Sequence, residues 1–175
     1  MTVWGTRTGQ WASIGPLAAL ALGCGAASGN PGAPSAPERV AALCAGVPAP
    51  EIERPSVLQA TEIEGVRALM GERRYLKYAV PELRGADIVV RSTPSRTRQW
   101  VTRVVLCHVA WLEAPAYGFR ESDADPLAVG APDVSFADTE SGFVIRIAGH
   151  DHAEGEEILR RARRLTEPPV GTAHP

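Results

Sequence analysis

The clearest pattern of apolar and polar positions lies in the second half of the chain. Residues 86–91, Ala-Asp-Ile-Val-Val-Arg, form a short apolar run after Arg84-Gly85, which is typical of a strand. Thr93 and Pro94 then supply an N-cap and a first-turn proline, and Pro115 marks the end of the next segment. Between them, apolar residues recur at helical spacing and predict an amphipathic helix whose buried face carries Trp100, Val101, Val104, Val105, His108, Trp111 and Leu112.

Two further strands and a second helix follow this first helix. Alternating residues over 134–136 and 143–147 predict strands, and the polar segment 138–142 between them predicts a hairpin connection. Asp151 and Glu154 have the spacing of a helix N-cap and capping box. The buried stripe of this helix is predicted at Ile158, Leu159, Ala162 and Leu165.

The segment before residue 86 has a less regular pattern. Thr61 to Glu64 has capping-box spacing, and Ile63, Val66, Leu69 and Met70 follow at helical intervals, so a helix is predicted there. The segment 75–80 favours a strand that ends at Pro81. Further upstream, Ser35 to Cys44 predicts a short helix that stops before Pro48.

The clear elements follow the order β-α-β-β-α. This order predicts an α+β fold, a small two-layer sandwich with two helices on one face of an antiparallel sheet. A ferredoxin-like arrangement without its last strand is one version, and residues 75–80 are a candidate for the missing strand. The domain is expected to span residues 57–167, followed by a flexible tail over 168–175.

Composition and charge are those of an ordinary globular chain. Of 175 residues, 45% are hydrophobic and 22% are charged, which excludes wholesale disorder and a multispan membrane protein. Eighteen Lys and Arg residues against twenty Asp and Glu residues give a net charge of −2. Because no global positive field attracts nucleic acid, no nucleic-acid partner is expected.

The amino-terminal segment departs from this average. No charged residue occurs between Arg7 and Glu38. Its apolar part, residues 14–23, is shorter than the roughly 20 residues of a spanning helix and has the length of a signal-peptide core. The end of this part, Leu20-Ala21-Leu22-Gly23-Cys24, resembles the lipobox of bacterial lipoproteins.

The lipobox resemblance implies processing at Cys24. In that class the cysteine sulfur receives a diacylglycerol group and a peptidase cuts before it, so residues 1–23 would be the signal peptide and the lipid bilayer a partner. Residues 24–56, rich in Gly and Pro near their start, are then a tether with a short helix. Two alternatives remain at this point: ordinary signal cleavage after Ala26 or Ala27, and a buried apolar helix.

Export changes the interpretation of the other cysteines. With Cys24 lipidated, Cys44 and Cys107 are left as a pair that an oxidising envelope would permit to form a disulfide. The alternative is two buried free thiols that behave as small hydrophobic side chains.

His150 and His152 are the strongest candidate metal ligands, together with Cys107 and His108. Imidazole and thiolate bind zinc or copper, and residues two apart on an extended segment point the same way. The alternative interpretation assigns Asp151 to the helix N-cap and His108 to a hydrogen-bonded core position. Asp123 and Asp125 are two carboxylates, too few for Ca²⁺.

A dense cationic run lies near the end of the last helix, at Arg160, Arg161, Arg163 and Arg164. It is a candidate contact for an anionic polymer such as envelope polysaccharide, or for lipid headgroups. The alternative is a solvated helix face whose cations complement the helix dipole.

No enzymatic motif is present in the sequence. It has no Gly-x-Ser-x-Gly elbow, no Walker A loop and no His-Glu-x-x-His. The sequence therefore predicts a lipid-anchored protein of the bacterial envelope, on the periplasmic or outer surface, with a non-catalytic binding or structural domain and no cofactor. Its candidate partners besides the bilayer are an envelope polysaccharide or an envelope protein. A periplasmic metal-binding protein that uses His150 and His152, and an uncharacterised hydrolase, are the alternatives.

Overall fold

The computed structural model describes residues 34–52, 56–114 and 123–167, apart from the side chain of Tyr75. These residues belong to a compact unit that begins at Pro34. Two short 3₁₀ turns, Val57–Ala60 and Pro126–Ala128, accompany the regular elements. The helices and strands are α1 (Ala36–Leu43), α2 (Ala49–Ile52), β1 (Glu62–Tyr75), β2 (Tyr78–Arg91), α3 (Arg98–Glu113), β3 (Asp133–Asp138), β4 (Gly142–Ala148) and α4 (His152–Arg164).

The four strands form one sheet in the order β1-β2-β4-β3, and every neighbouring pair is antiparallel. Alternate residues of the central strands are wholly buried on one face. Helices α3 and α4 contribute to the same hydrophobic core as this face. The predicted α+β sandwich is therefore confirmed, with β1 as an additional strand before the predicted order. The buried sheet residues are Ala86, Ile88, Val90, Phe143, Ile145 and Ile147.

The helix predicted over Thr61–Met70 is wrong, because these residues form β1. A register shift between Ile63 and Gly65 inserts an extra residue, so that Ile63 pairs with Val90 and Val66 pairs with Ile88. Ile63 and Val66 therefore both pack against the core although they are three residues apart. A bulged strand thus reproduces the apolar spacing of a helix turn.

The strand predicted at residues 75–80 is also placed differently. Tyr75 pairs with Tyr78 across a hairpin turn at Leu76 and Lys77, so the predicted strand is split between β1 and β2. Strand β2 continues through Pro81 to Arg91. Because β4 pairs with β2 only from Gly85 onward, the far part of the hairpin is two-stranded.

Helix α3 starts four residues later than predicted. The side chain of Thr97 accepts a hydrogen bond from the Trp100 amide and caps the helix. Thr93 forms an isolated bridge with Arg96 instead, and Pro94 lies in the turn between them. Proline at the second position of a tight turn satisfies the same backbone requirement as proline in a first helical turn.

Helix α4 forms as its capping signals predict. The Asp151 side chain accepts from the Glu154 amide at 2.9 Å, and Glu154 in turn accepts from the His150 amide. Gly155 lies against the backbone of β2, where an added Cβ would be only 2.8 Å from the Leu83 carbonyl oxygen. This glycine allows α4 to cross β2 closely and brings the C-terminal part of the helix beside Leu83.

Residues 34–52 lie within the segment predicted as a tether, and they carry two helices that pack on α3. Helix α1 is capped by Glu38, which accepts from the Ser35 amide. Its Val40 is buried with Ala110 of α3 and with Ala114, the residue after α3. The predicted disulfide between Cys44 and Cys107 is present, with Cα atoms 4.7 Å apart. None of the helices in the described part of the chain has the length and apolar content to cross a membrane.

We expect loss of the disulfide to reduce stability by about 4 kcal/mol, because the bond closes a long loop and limits the freedom of the unfolded chain. The two cysteines are separated by 63 positions, and Cys107 is wholly buried. The measurement is urea unfolding of the Cys44→Ala/Cys107→Ala variant, with Cys24→Ala as control. Equal free energies of unfolding for the two variants would contradict this expectation.

Candidate functional site

Three buried polar side chains form a hydrogen-bonded network between α3 and the loops beside it. The residues are Ser56, His108 and Asp125, with exposures of 0%, 2% and 1%. His108 Nε2 lies 2.6 Å from Asp125 Oδ2, and its Nδ1 lies 3.2 Å from the carbonyl oxygen of Ile52. Asp125 Oδ1 accepts from the Leu127 amide and from the Ser56 hydroxyl.

This network is unsuited to nucleophilic catalysis although it contains the residue types of a hydrolase triad. In a triad the histidine lies between the other two residues and takes the proton of serine, whereas here Asp125 lies between Ser56 and His108. All three side chains are buried and are hydrogen-bonded to one another or to the neighbouring backbone. The interpretation of His108 as a hydrogen-bonded core residue is confirmed, and Asp125 is committed to this network while Asp123 is exposed.

The four residues proposed for a metal site are not brought together. His150 Nε2 lies 3.2 Å from the Ala131 carbonyl oxygen, and His152 Nε2 lies 3.4 Å from Glu156. Cys107 is in the disulfide, and His108 is in the buried network. Within residues 34–52, 56–114 and 123–167, no group of three or more His, Cys, Asp and Glu side chains is placed to hold a metal ion.

The four arginines of α4 separate into two pairs with different surroundings. Arg160 and Arg161 both bind the carboxylate of Glu157. Arg161 also donates to the backbone carbonyl of Asp125 at 3.2 Å, so it fastens α4 to the loop that carries the buried network. Arg163 and Arg164 are exposed, and the structure shows no ion pair for either within its described part.

A shallow groove of about 440 Å³ runs beside the end of α4. Its floor is apolar, from Leu83 and Leu159, and its walls carry three arginines and two glutamates. The arrangement suits a polymer with anionic groups and an apolar surface, because guanidinium groups bind carboxylate or phosphate in a bidentate manner. The wall residues are Glu156, Arg160, Arg163, Arg164 and Glu167.

Sequence reasoning identified the arginines but missed the apolar floor of this groove. Leu83 lies at a bulged part of the β1–β2 hairpin, which the sequence pattern did not reveal as a hairpin. The glycine at 155 was the available signal, since a glycine inside an amphipathic helix often marks a close backbone approach. The name α4 groove is used below for this groove, which is lined by Leu83, Leu159, Arg160, Arg163 and Arg164.

Comparison with known proteins identified no relative of this chain. No protein-family model, curated protein or solved structure matches the chain. The function is therefore inferred from the residues and geometry of the molecule itself.

Asp125→Ala should lower the free energy of unfolding by about 3 kcal/mol or more, since it leaves buried His108, Ser56 and Leu127 groups without their partner. Asp125→Asn should cost less, because the amide retains an acceptor for Leu127 and offers a donor to the histidine ring. Chemical denaturation measures both, with exposed His152→Ala as control. Equal stability of Asp125→Ala and His152→Ala would refute the structural role of the network.

The ion pairs of Glu157 predict that the stability of the domain depends on pH in the acidic range. Hydrogen bonds from Arg160 and Arg161 lower the pKa of Glu157 from 4.5 to about 2. Because the folded state binds this proton less readily than the unfolded state, the stabilisation is complete above pH 4.5 and is lost as the pH falls toward 2. The side chain is 31% exposed, so we expect a contribution of only about 0.5 to 1 kcal/mol.

The measurement for Glu157 is the stability difference between wild type and Glu157→Gln at neutral pH and near pH 2. The difference should be present at neutral pH and nearly vanish in acid. Glu167→Gln, which removes an exposed glutamate at the end of the same helix, controls for net charge. A difference that persists unchanged in acid would contradict the assignment.

Proposed function

We propose that the protein is an exported, lipid-anchored component of the bacterial envelope whose small domain binds an anionic polymer without catalysis. The anchor is Cys24, and the polymer contact is the α4 groove. The observation that carries the binding role is the pair of exposed arginines, Arg163 and Arg164, beside an apolar floor.

The distribution of polar chemistry in the described domain supports a binding role over an enzymatic one. The Ser, His and Asp side chains that resemble catalytic groups are buried and satisfy one another. The exposed charged groups of the groove are mainly arginines, which recognise anions but do not exchange protons near neutral pH. The groove is therefore suited to recognition.

An envelope polysaccharide fits the groove by both of its features. Acidic sugars present carboxylate or phosphate groups that accept from Arg163 and Arg164. The apolar face of a sugar ring can pack on Leu83 and Leu159, which lie on the floor. The flanking Glu156 and Glu167 disfavour a polymer whose negative charges are closely spaced, because like charges repel across the groove.

Removal of the two exposed arginines should weaken polymer binding without unfolding the domain. We expect Arg163→Gln/Arg164→Gln to lower salt-sensitive retention on purified acidic cell-wall polysaccharide by about tenfold, as two charge-assisted contacts are lost. The matched control is Arg67→Gln/Arg103→Gln, which removes equal charge from two exposed positions outside the groove. Retention equal in the two double variants would contradict the assignment of the groove.

A further inference from the structure

The β1–β2 hairpin extends beyond the sheet as a two-stranded arm. Its paired residues run from Met70 opposite Leu83 to Tyr75 opposite Tyr78, past the point where β4 stops pairing with β2. Six residues in a strand give this arm, residues 70–83, a length of about 20 Å. An isolated two-stranded ribbon has little stability of its own. The exposed side chains of the arm therefore need an explanation other than the stability of the ribbon.

Three of the four large exposed apolar side chains of the arm lie toward its far end, and the fourth, Met70, lies at its base. Leu76 is fully exposed in the turn, Tyr78 is 73% exposed, and Val80 is also exposed. Leu76 has a φ of 52°, a left-handed conformation that favours glycine or asparagine over leucine. A leucine therefore occupies the position where both hydration and backbone strain disfavour it, which is typical of a residue retained for contact with a partner.

The same end of the arm is positively charged. Residues 73–81 contain Arg73, Arg74 and Lys77 and no acidic residue. Glu82 pairs with Arg73 and with Arg84, whereas the structure shows no ion pair for Arg74 or Lys77 in its described part. Glu72 lies two positions, about 7 Å, from Arg74 and within the screening length at physiological salt. Residues 72–82 therefore carry three cations against two carboxylates, and the cation farthest from both carboxylates is Lys77, in the turn.

We propose that the arm tip, residues 73–80, inserts into the interfacial region of an anionic lipid bilayer. The side chains of Leu76 and Val80 enter the acyl boundary, and Tyr78 favours the interface. Arg74 and Lys77 contact the headgroups while their stems remain in the apolar layer. This contact is separate from the acyl group on Cys24 and from the α4 groove, and it does not depend on either.

The shape and charge of the tip favour a bilayer over a protein partner. A second copy that paired tip to tip would place Arg74 and Lys77 against the same cations. The tip is the end of a hairpin that is two strands wide. A fluid bilayer accepts such an end without a complementary groove.

A local fluorescent probe tests this proposal in the full chain. Ala79→Cys in a Cys24→Ala background leaves one free thiol outside the disulfide, and an environment-sensitive fluorophore on it reports the surroundings of the tip. We expect a blue shift, and quenching by bromolipids, with mixed phosphatidylcholine and phosphatidylglycerol vesicles. A probe at exposed Ser95 should show neither change.

Two variants separate the charged and apolar parts of the contact. Arg74→Gln/Lys77→Gln should weaken partitioning, read from the probe at residue 79, by about 25-fold, since each cation near an anionic surface contributes about fivefold. The control Arg67→Gln/Arg103→Gln should leave it unchanged. Leu76→Gly should weaken it by about tenfold while keeping or raising the thermal stability of the domain, because the turn strain is relieved.

Four outcomes would overturn the proposal. The first two are no change of probe fluorescence with vesicles, and an equal change with vesicles of pure phosphatidylcholine. The third is a change that depends on protein concentration without vesicles, which would indicate a second copy of the chain. The fourth is an equal change with soluble polyglutamate, which would indicate an acidic polypeptide as the partner. Because the readout is local to residue 79 and Cys24 is absent, failure here is distinguishable from failure of acylation or of the α4 groove.

Discussion

The buried hydrogen bond between His108 and Asp125 is the interaction on which the arrangement of the helical layer depends. His108 reaches from α3 to the carbonyl of Ile52 at the end of α2, and Asp125 reaches the amide of Leu127 and the hydroxyl of Ser56. The backbone of Asp125 also accepts from Arg161 of α4. Segments that are distant in sequence are thus joined by one polar cluster that solvent does not reach.

The disulfide strengthens the same region because Cys107 is the neighbour of His108. Through Cys44 the disulfide attaches α1 to α3. The end of α1 and the loop at Asp125 are therefore both attached to α3, at the adjacent positions Cys107 and His108. His108, Asp125 and the two cysteines of the disulfide are therefore used for internal structure. Arginine remains on the surface, which is why we place function in the α4 groove and at the arm tip.

The regular elements were predictable where local sequence and packing agree. The hairpin of β3 and β4, and α4 with its Asp151 cap, follow from alternation and capping chemistry that the tertiary structure leaves unchanged. Strand β1 was not predictable from periodicity because its bulge gives Ile63 and Val66 helical spacing on a strand face. The start of α3 was misplaced because Thr93 and Thr97 both precede residues that fit a first helical turn.

The candidate site was predictable only in part. Sequence spacing identified the α4 arginines but not the difference between them. Arg161 is half-buried because it donates to the backbone carbonyl of Asp125, whereas Arg163 and Arg164 are exposed. The network of Ser56, His108 and Asp125 joins residues whose separations, 69 and 17 positions, carry no local signal. The exposed tip at Leu76 could not be predicted, because the hairpin turn at Leu76 and Lys77 contains none of the residues that usually form such turns.

We propose that the chain is exported and anchored at Cys24, and its domain is closed by the disulfide between Cys44 and Cys107. The intact mass of the protein purified from its native envelope tests both parts together. We expect a chain that begins at Cys24, carries a diacylglyceryl group and lacks the two hydrogens of the Cys44 and Cys107 thiols. The mass of an unmodified chain from Met1 with free thiols would contradict it.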